Sequence, residues 1–164
     1  MSGLEILTAV HTAISLIGIV SGLVVVRGML RGPTSPRWTA LFLTSTVLTS
    51  VTGYFFPFHR LMPSHVVGAI SLVVLAVALF ALYGREAQGG WARIWVASAV
   101  FALYLNVFVL VAQLFAKVPA LRELAPTQSE PPFAVAQLVV MAAFLWLGVT
   151  AVRRAPGAAA RPAV

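Results

Sequence analysis

Residues 64–83 read SHVVGAISLVVLAVALFALY, a run of twenty with no Asp, Glu, Lys or Arg. The hydrocarbon core of a bilayer is about 30 Å thick and a helix rises about 1.5 Å per residue, so such a run is long enough to cross. Four further stretches read the same way, over residues 4–26, 38–56, 94–116 and 133–152, with charges confined to their ends. Lipid offers an open backbone no hydrogen-bond partner, so each stretch is expected to be an α-helix. The expected fold is all-α: an integral membrane bundle of five transmembrane helices in one domain, residues 1–152.

Composition supports this. Hydrophobic residues make up 60% of the chain and charged ones 9%, with a mean hydropathy of +0.98. A soluble domain carries about 45–50% apolar and about 25% charged residues. Five spans and their connections consume the 164 residues and leave no room for a separate soluble domain. The first span lacks a positive leading region and carries Glu5 at its start, unlike a secretory signal.

The net charge of +7 invites a nucleic-acid reading, but its distribution argues against one. Eight of the eleven basic residues fall in alternate connections and the tail: Arg27, Arg31, Arg37, Arg85, Arg93, Arg153, Arg154 and Arg161. Arg60, Lys117 and Arg122 fall on the other side. Short basic loops stay in the cytoplasm, so the N-terminus is expected outside and the C-terminus inside. The basic character marks topology, with the lipid bilayer and its anionic head groups as partners and no nucleic acid. Residues 153–164, rich in Ala, Pro, Gly and Arg, read as a disordered cytoplasmic tail.

Trp38, Trp91 and Trp95 stand where interfacial aromatics belong. Residues 57–63 form a short outer turn between two prolines. The longest connection, residues 117–132, also lies outside, and its first part, residues 119–124, suits a short helix on the membrane surface.

Small and polar residues inside spans mark helix–helix contact faces. Thr8, His11, Ser15, Gly18 and Gly22 recur at steps of three and four, and the last two form a GxxxG pair. The second span holds Thr44, Ser45, Thr46, Thr49, Ser50 and Thr52, of which Thr46, Thr49 and Gly53 share a face. Ser64, Gly68 and Ser71 line the third. Packing is the plain reading of these, because Ser and Thr can return their hydrogen bonds to their own helix. Asn106, Gln113 and Gln137 are costlier in lipid and need partners. Asn106 and Gln113, seven residues apart, share a face.

The three histidines gather toward the outer side: His11 in span one, His59 in the outer turn and His65 at the mouth of span three. With Asn106, Gln113, Gln137 and Glu130 they form a candidate polar or ligand site. Haem or a metal ion on His11 and His65 is one use of it, since neutral imidazole ligates both. A solute-binding cavity is another. The plain alternative leaves His59 and His65 interfacial and His11 bonded to a neighbouring helix. No cysteine is present, which excludes thiolate sites and disulfides. Gly-rich phosphate loops, GxSxG, HExxH and mid-membrane carboxylate pairs are absent, so no enzyme is expected.

Two segments carry a resemblance: residues 52–58 (TGYFFPF) leading to 63–68 (PSHVVG), and residues 105–108 (LNVF) through Gln113 to 124–133 (LAPTQSEPPF). They resemble small bacterial multi-span inner-membrane proteins, a group that implies a membrane location and no activity. The expected function is a non-enzymatic accessory or binding component with a polar site on its outer side, working in a membrane protein complex or as a homo-oligomer. The alternatives are an oligomeric transporter or channel subunit, and a haem- or metal-binding redox component.

Overall fold

A computed structural model describes residues 2–56 and 63–155, so His59, Arg60 and residues 156–164 of the expected tail lie outside the described residues. The chain is helical, with no strand among the described residues. The main helices are α1 (Gly3–Arg31), α2 (Pro36–Thr52), α3 (Pro63–Leu79) and α4 (Gly90–Lys117), followed by the short α5 (Pro119–Leu124) and by α6 (Pro131–Arg154). A 3₁₀ turn, Gly53–Phe55, extends α2, and a π turn, Phe80–Gly84, ends α3.

Four helical segments are long and apolar enough to cross a membrane: Gly3–Arg31, His65–Gly84, Gly90–Lys117 and Pro131–Arg154. The second expected span is the shorter α2, whose 17 residues cover about 26 Å.

Helix ends extend beyond the apolar runs. α1 continues through Arg27 to Arg31, and α6 reaches Arg154, two residues into the expected tail. Arginine is a good helix former, and its long stem lets the charge leave the apolar zone while the backbone stays helical. At its other end α1 starts with a capping box, in which Glu5 Oε2 accepts from the Ser2 N–H at 2.7 Å and Ser2 Oγ accepts from the Glu5 N–H. Glu5 is thus a cap.

Helix α4 is the hub. It packs on α1, α3 and α6 and supplies Trp95, Val96, Ala99, Val100, Ala102 and Leu103 to the core. Consecutive long helices alternate in direction. The N-terminal part of α1 meets the end of α2, while the ends of α1 and α6 meet near the start of α4. Arg154 of α6 donates to the carbonyl of Leu30, tying two of these ends together.

Helix α6 is the most peripheral: Val135, Leu138, Val139, Leu145, Trp146 and Val149 are all at least half exposed. So wide an apolar surface is costly in water and ordinary against acyl chains.

Candidate functional site

The α1 glycines define the tightest seam of the bundle. A Cβ on Gly22 would lie 2.7 Å from Leu103 Cδ1 and 2.8 Å from Phe42 Cε2, so α1 reaches α2 and α4 only because residue 22 has no side chain. One turn along, a Cβ on Gly18 would meet Ser45 Oγ and Thr46 Oγ1 at 3.2 Å and Asn106 Nδ2 at 3.5 Å. The GxxxG pair therefore sits at the three-helix junction, as its spacing predicts.

Asn106 finds its partner at this junction, its Nδ2 donating to Thr46 Oγ1 at 3.2 Å. Thr46 is fully buried. Around it Ser45 and Ser50 return their hydroxyls to carbonyls one turn back in α2, at 2.6 and 3.0 Å. Thr49 departs from that habit: its Oγ1 is buried and has no hydrogen-bond partner.

Toward the free end of the seam, seven residues and about 10 Å from Gly18, stands His11. Its Nδ1 lies 2.9 Å from Thr52 Oγ1, and Phe56 packs edge-on to the ring with centroids 5.3 Å apart. Thr52 Oγ1 is also 2.7 Å from the carbonyl of Leu48 and donates there. A hydroxyl has one proton, so toward His11 it accepts and Nδ1 carries the ring N–H. That leaves the lone pair on Nε2. A close approach of the backbone accommodates the ring, since Gly53 has His11 Cε1 at 3.7 Å from where a Cβ would stand.

His65 lies buried on the other flank of the same 3₁₀ turn. Tyr54 donates its hydroxyl to the His65 carbonyl at 2.8 Å, and the two rings lie 5.8 Å apart. Gly68 gives the tyrosine its room, with the hydroxyl 3.3 Å from the place of a Cβ. The two histidines thus brace α2 against α1 and α3 through different partners. Among the described residues no group of three or more His, Cys, Asp or Glu comes together.

The remaining candidates lie elsewhere. Gln137 sits in the α4–α6 seam, where its Nε2 donates to the carbonyl of Phe108 at 3.1 Å and its Oε1 is buried without a partner. Gln113, on the Asn106 face of α4 but two turns nearer the helix end, is exposed.

Glu130 organises its own loop. Its Oε1 accepts from the N–H and hydroxyl of Thr127 at 3.2 and 2.9 Å, and its Oε2 from the Ser129 N–H at 3.0 Å. Desolvation works to raise its pKa, yet these bonds together hold the carboxyl below the ordinary glutamate value. The loop is fastened to α4 by Gln128, in left-handed backbone at φ 59°, whose Nε2 donates to the carbonyl of Ala112 at 2.7 Å. A shallow cavity of about 400 Å³ opens beside it, lined by Lys117, Pro119, Arg122, Glu123 and Pro126.

The six described candidates therefore divide, Gln113 standing exposed by itself. His11 and Asn106 join one seam through the hydroxyls of α2, His65 stands across the 3₁₀ turn, and Gln137 and Glu130 belong to α6 and its entry loop. Thr52, Tyr54 and Gln128 are the partners that the sequence did not single out as site residues. Compared with known protein families, curated proteins and solved structures, the chain matches none.

Proposed function

We propose that this chain is a five-span protein of a bacterial inner membrane, N-terminus outside and C-terminus cytoplasmic, acting as a non-enzymatic accessory or binding component. For the fifth span, α2 and its 3₁₀ turn together run for about 32 Å at rises of about 1.5 and 2.0 Å per residue, close to the thickness of the hydrocarbon core. α2 also lies along α1 from Phe42 beside Gly22 to Thr52 beside His11, so it shares the depth of a helix long enough to span. For orientation, seven described arginines and one acid, Glu86, fall at the end where α1 and α6 finish. Two described cations and Glu5, Glu123 and Glu130 fall at the other.

The observation that carries the functional reading is the closure of the polar seam. Hydrogen-bonding groups run inward from His11 through Thr52 to Thr46 and Asn106. Among the described residues, the side-chain hydrogen bonds that join α1, α2 and α4 stop where Gly22, Phe42 and Leu103 interlock, the last two fully buried; of the buried hydroxyls beyond, Thr39 and Ser98, the latter donates to its own helix. A conduit through one copy would have to pass that apolar plug. An outer-facing binding or docking surface needs none, and exposed Gln113 with the cavity beside Lys117 and Glu123 suits it.

A photo-reactive residue at Gln113, with a control at the exposed α6 residue Val139, tests this in cells. A discrete protein cross-link from position 113 alone is expected. Lipid-only cross-links from both positions, or saturable solute flux in vesicles that Asn106→Ala abolishes, would overturn it. A C-terminal reporter active outside the cytoplasm would overturn the orientation.

A further inference from the structure

A second cavity lies at the opposite, arginine-rich end. It has a volume of about 550 Å³, within the roughly 300–1,000 Å³ of ligand pockets, and it opens between the ends of α1 and α6, the turn after α3 and the start of α4. Its lining side chains are mostly apolar, with Met29, Leu82, Trp95, Val96 and Ala155, beside Thr34 and the charged Arg154. Exposed Arg31 and Arg93 are chain neighbours of other lining residues, and exposed Arg153 precedes Arg154 itself. The one acid at this end, Glu86, accepts a hydrogen bond from Gln88.

We propose that this cleft binds an anionic phospholipid, the head-group phosphate on Arg154 and its neighbouring arginines and the upper acyl chain along Met29, Leu82 and Val96. Three observations combine. Charge is complementary, with clustered arginines and a single carboxylate at the same end. Most of the lining side chains are apolar, Thr34 and Arg154 being the polar ones, so the cleft offers an acyl chain contact beside a charge. Phe80, Tyr83 and Ile94, within two residues of the lining residues Leu82 and Trp95, are exposed on segments long enough to span a bilayer, so this end of the bundle presents apolar surface to lipid.

Arg154 already gives one N–H to the Leu30 carbonyl, which orients the guanidinium at the end of α1. A guanidinium has five N–H donors, so the others remain for a phosphate. The site does not depend on which way the chain inserts or on what meets the other end.

The test is native mass spectrometry of the delipidated full chain in detergent, titrated with phosphatidylglycerol and, separately, phosphatidylcholine. Retention of one phosphatidylglycerol is expected, with a preference over phosphatidylcholine of at least about fivefold, the factor that ~1 kcal/mol per arginine near an anionic surface provides. Arg154→Gln, which keeps a donor for Leu30 but drops the charge, should lower that preference about fivefold by the same measure. Ala155→Phe, which fills the cleft and keeps every charge, should abolish retention. Lys117→Gln, at the far end, should leave it intact.

Equal retention of the two lipids, or phosphatidylglycerol binding unchanged in Ala155→Phe, would overturn the proposal. So would displacement of the lipid by inorganic phosphate at equal concentration, because the site would then be an anion site without use for the acyl chain. If Arg154→Gln loses its helical circular dichroism, Ala155→Phe decides alone.

Discussion

Gly22→Ala is the substitution on which the three-helix junction depends most directly. The added methyl would stand 2.7 Å from Leu103 Cδ1 and 2.8 and 2.9 Å from two carbons of the Phe42 ring, whereas carbons pack best at about 3.5–4.0 Å. Neither neighbour has room to retreat, since both are fully buried. Overpacking of this kind costs about 1–3 kcal/mol. Alanine also gains about 1 kcal/mol over glycine as a helix former, which masks part of the loss. Gly148→Ala supplies the reference, because its Cβ would meet only Val100 Cγ1, at an ordinary 3.5 Å. The quantity to measure is the difference between the two variants in reversible unfolding from mixed micelles. Gly22→Ala should be the less stable by about 1–3 kcal/mol, and combining it with Leu103→Val should recover part of that difference. Equality of the two variants within about 0.5 kcal/mol, the ordinary scatter for unrelated sites, would refute the placement of α1 on Phe42 and Leu103.

Thr52→Val removes the acceptor of His11 and should cost about 0.5–1.5 kcal/mol in the same unfolding assay, while ¹⁵N shifts of His11 in the parent should report the Nδ1–H tautomer. Thr49→Val, three residues away, should leave stability unchanged or raised, because it replaces a buried hydroxyl that has no partner with an isosteric methyl. Asn106→Leu should lose about 0.6–1.7 kcal/mol, the range of interhelical hydrogen bonds in a membrane, and a cycle with Thr46→Val should show the two coupled. The depressed pKa of Glu130 means that its loop bonds contribute above the unfolded carboxylate value and are lost as pH falls through the lower folded one. Carboxyl ¹³C shifts should show it titrating below the ordinary value of about 4.3, and Thr127→Ala should move it upward.

The helices were legible because lipid makes hydropathy a length measurement, but their ends were not. The apolar runs stop at Arg27 and Arg153, where a charge reads as the end of a span, whereas the backbone hydrogen bonds continue to Arg31 and Arg154. Helix α2 is the converse case. Its hydroxyls lower its hydropathy while serving its packing, and α-helical geometry ends at Thr52 before the tighter turn that carries Tyr54 to His65.

In the candidate site, spacing gave angle and not surroundings. The steps of three and four that join His11, Ser15, Gly18 and Gly22 define a stripe, and the three-helix junction lies against it. The same arithmetic puts Asn106 and Gln113 on one face, yet one is half-buried against Thr46 and the other exposed, because periodicity says nothing of how far a neighbouring helix extends. Carbonyl partners leave no mark in a sequence: the bonds of Gln137 to Phe108 and Gln128 to Ala112 could be expected only in kind, as something a buried amide must find. Most hydroxyls in these helices return to their own backbone, and His11, Asn106 and Gln137 hold one helix to the next. The exceptions are the informative places: Thr49 Oγ1 and Gln137 Oε1, buried with nothing to bond, and the cleft at Arg154, at an end where seven described arginines face one carboxylate.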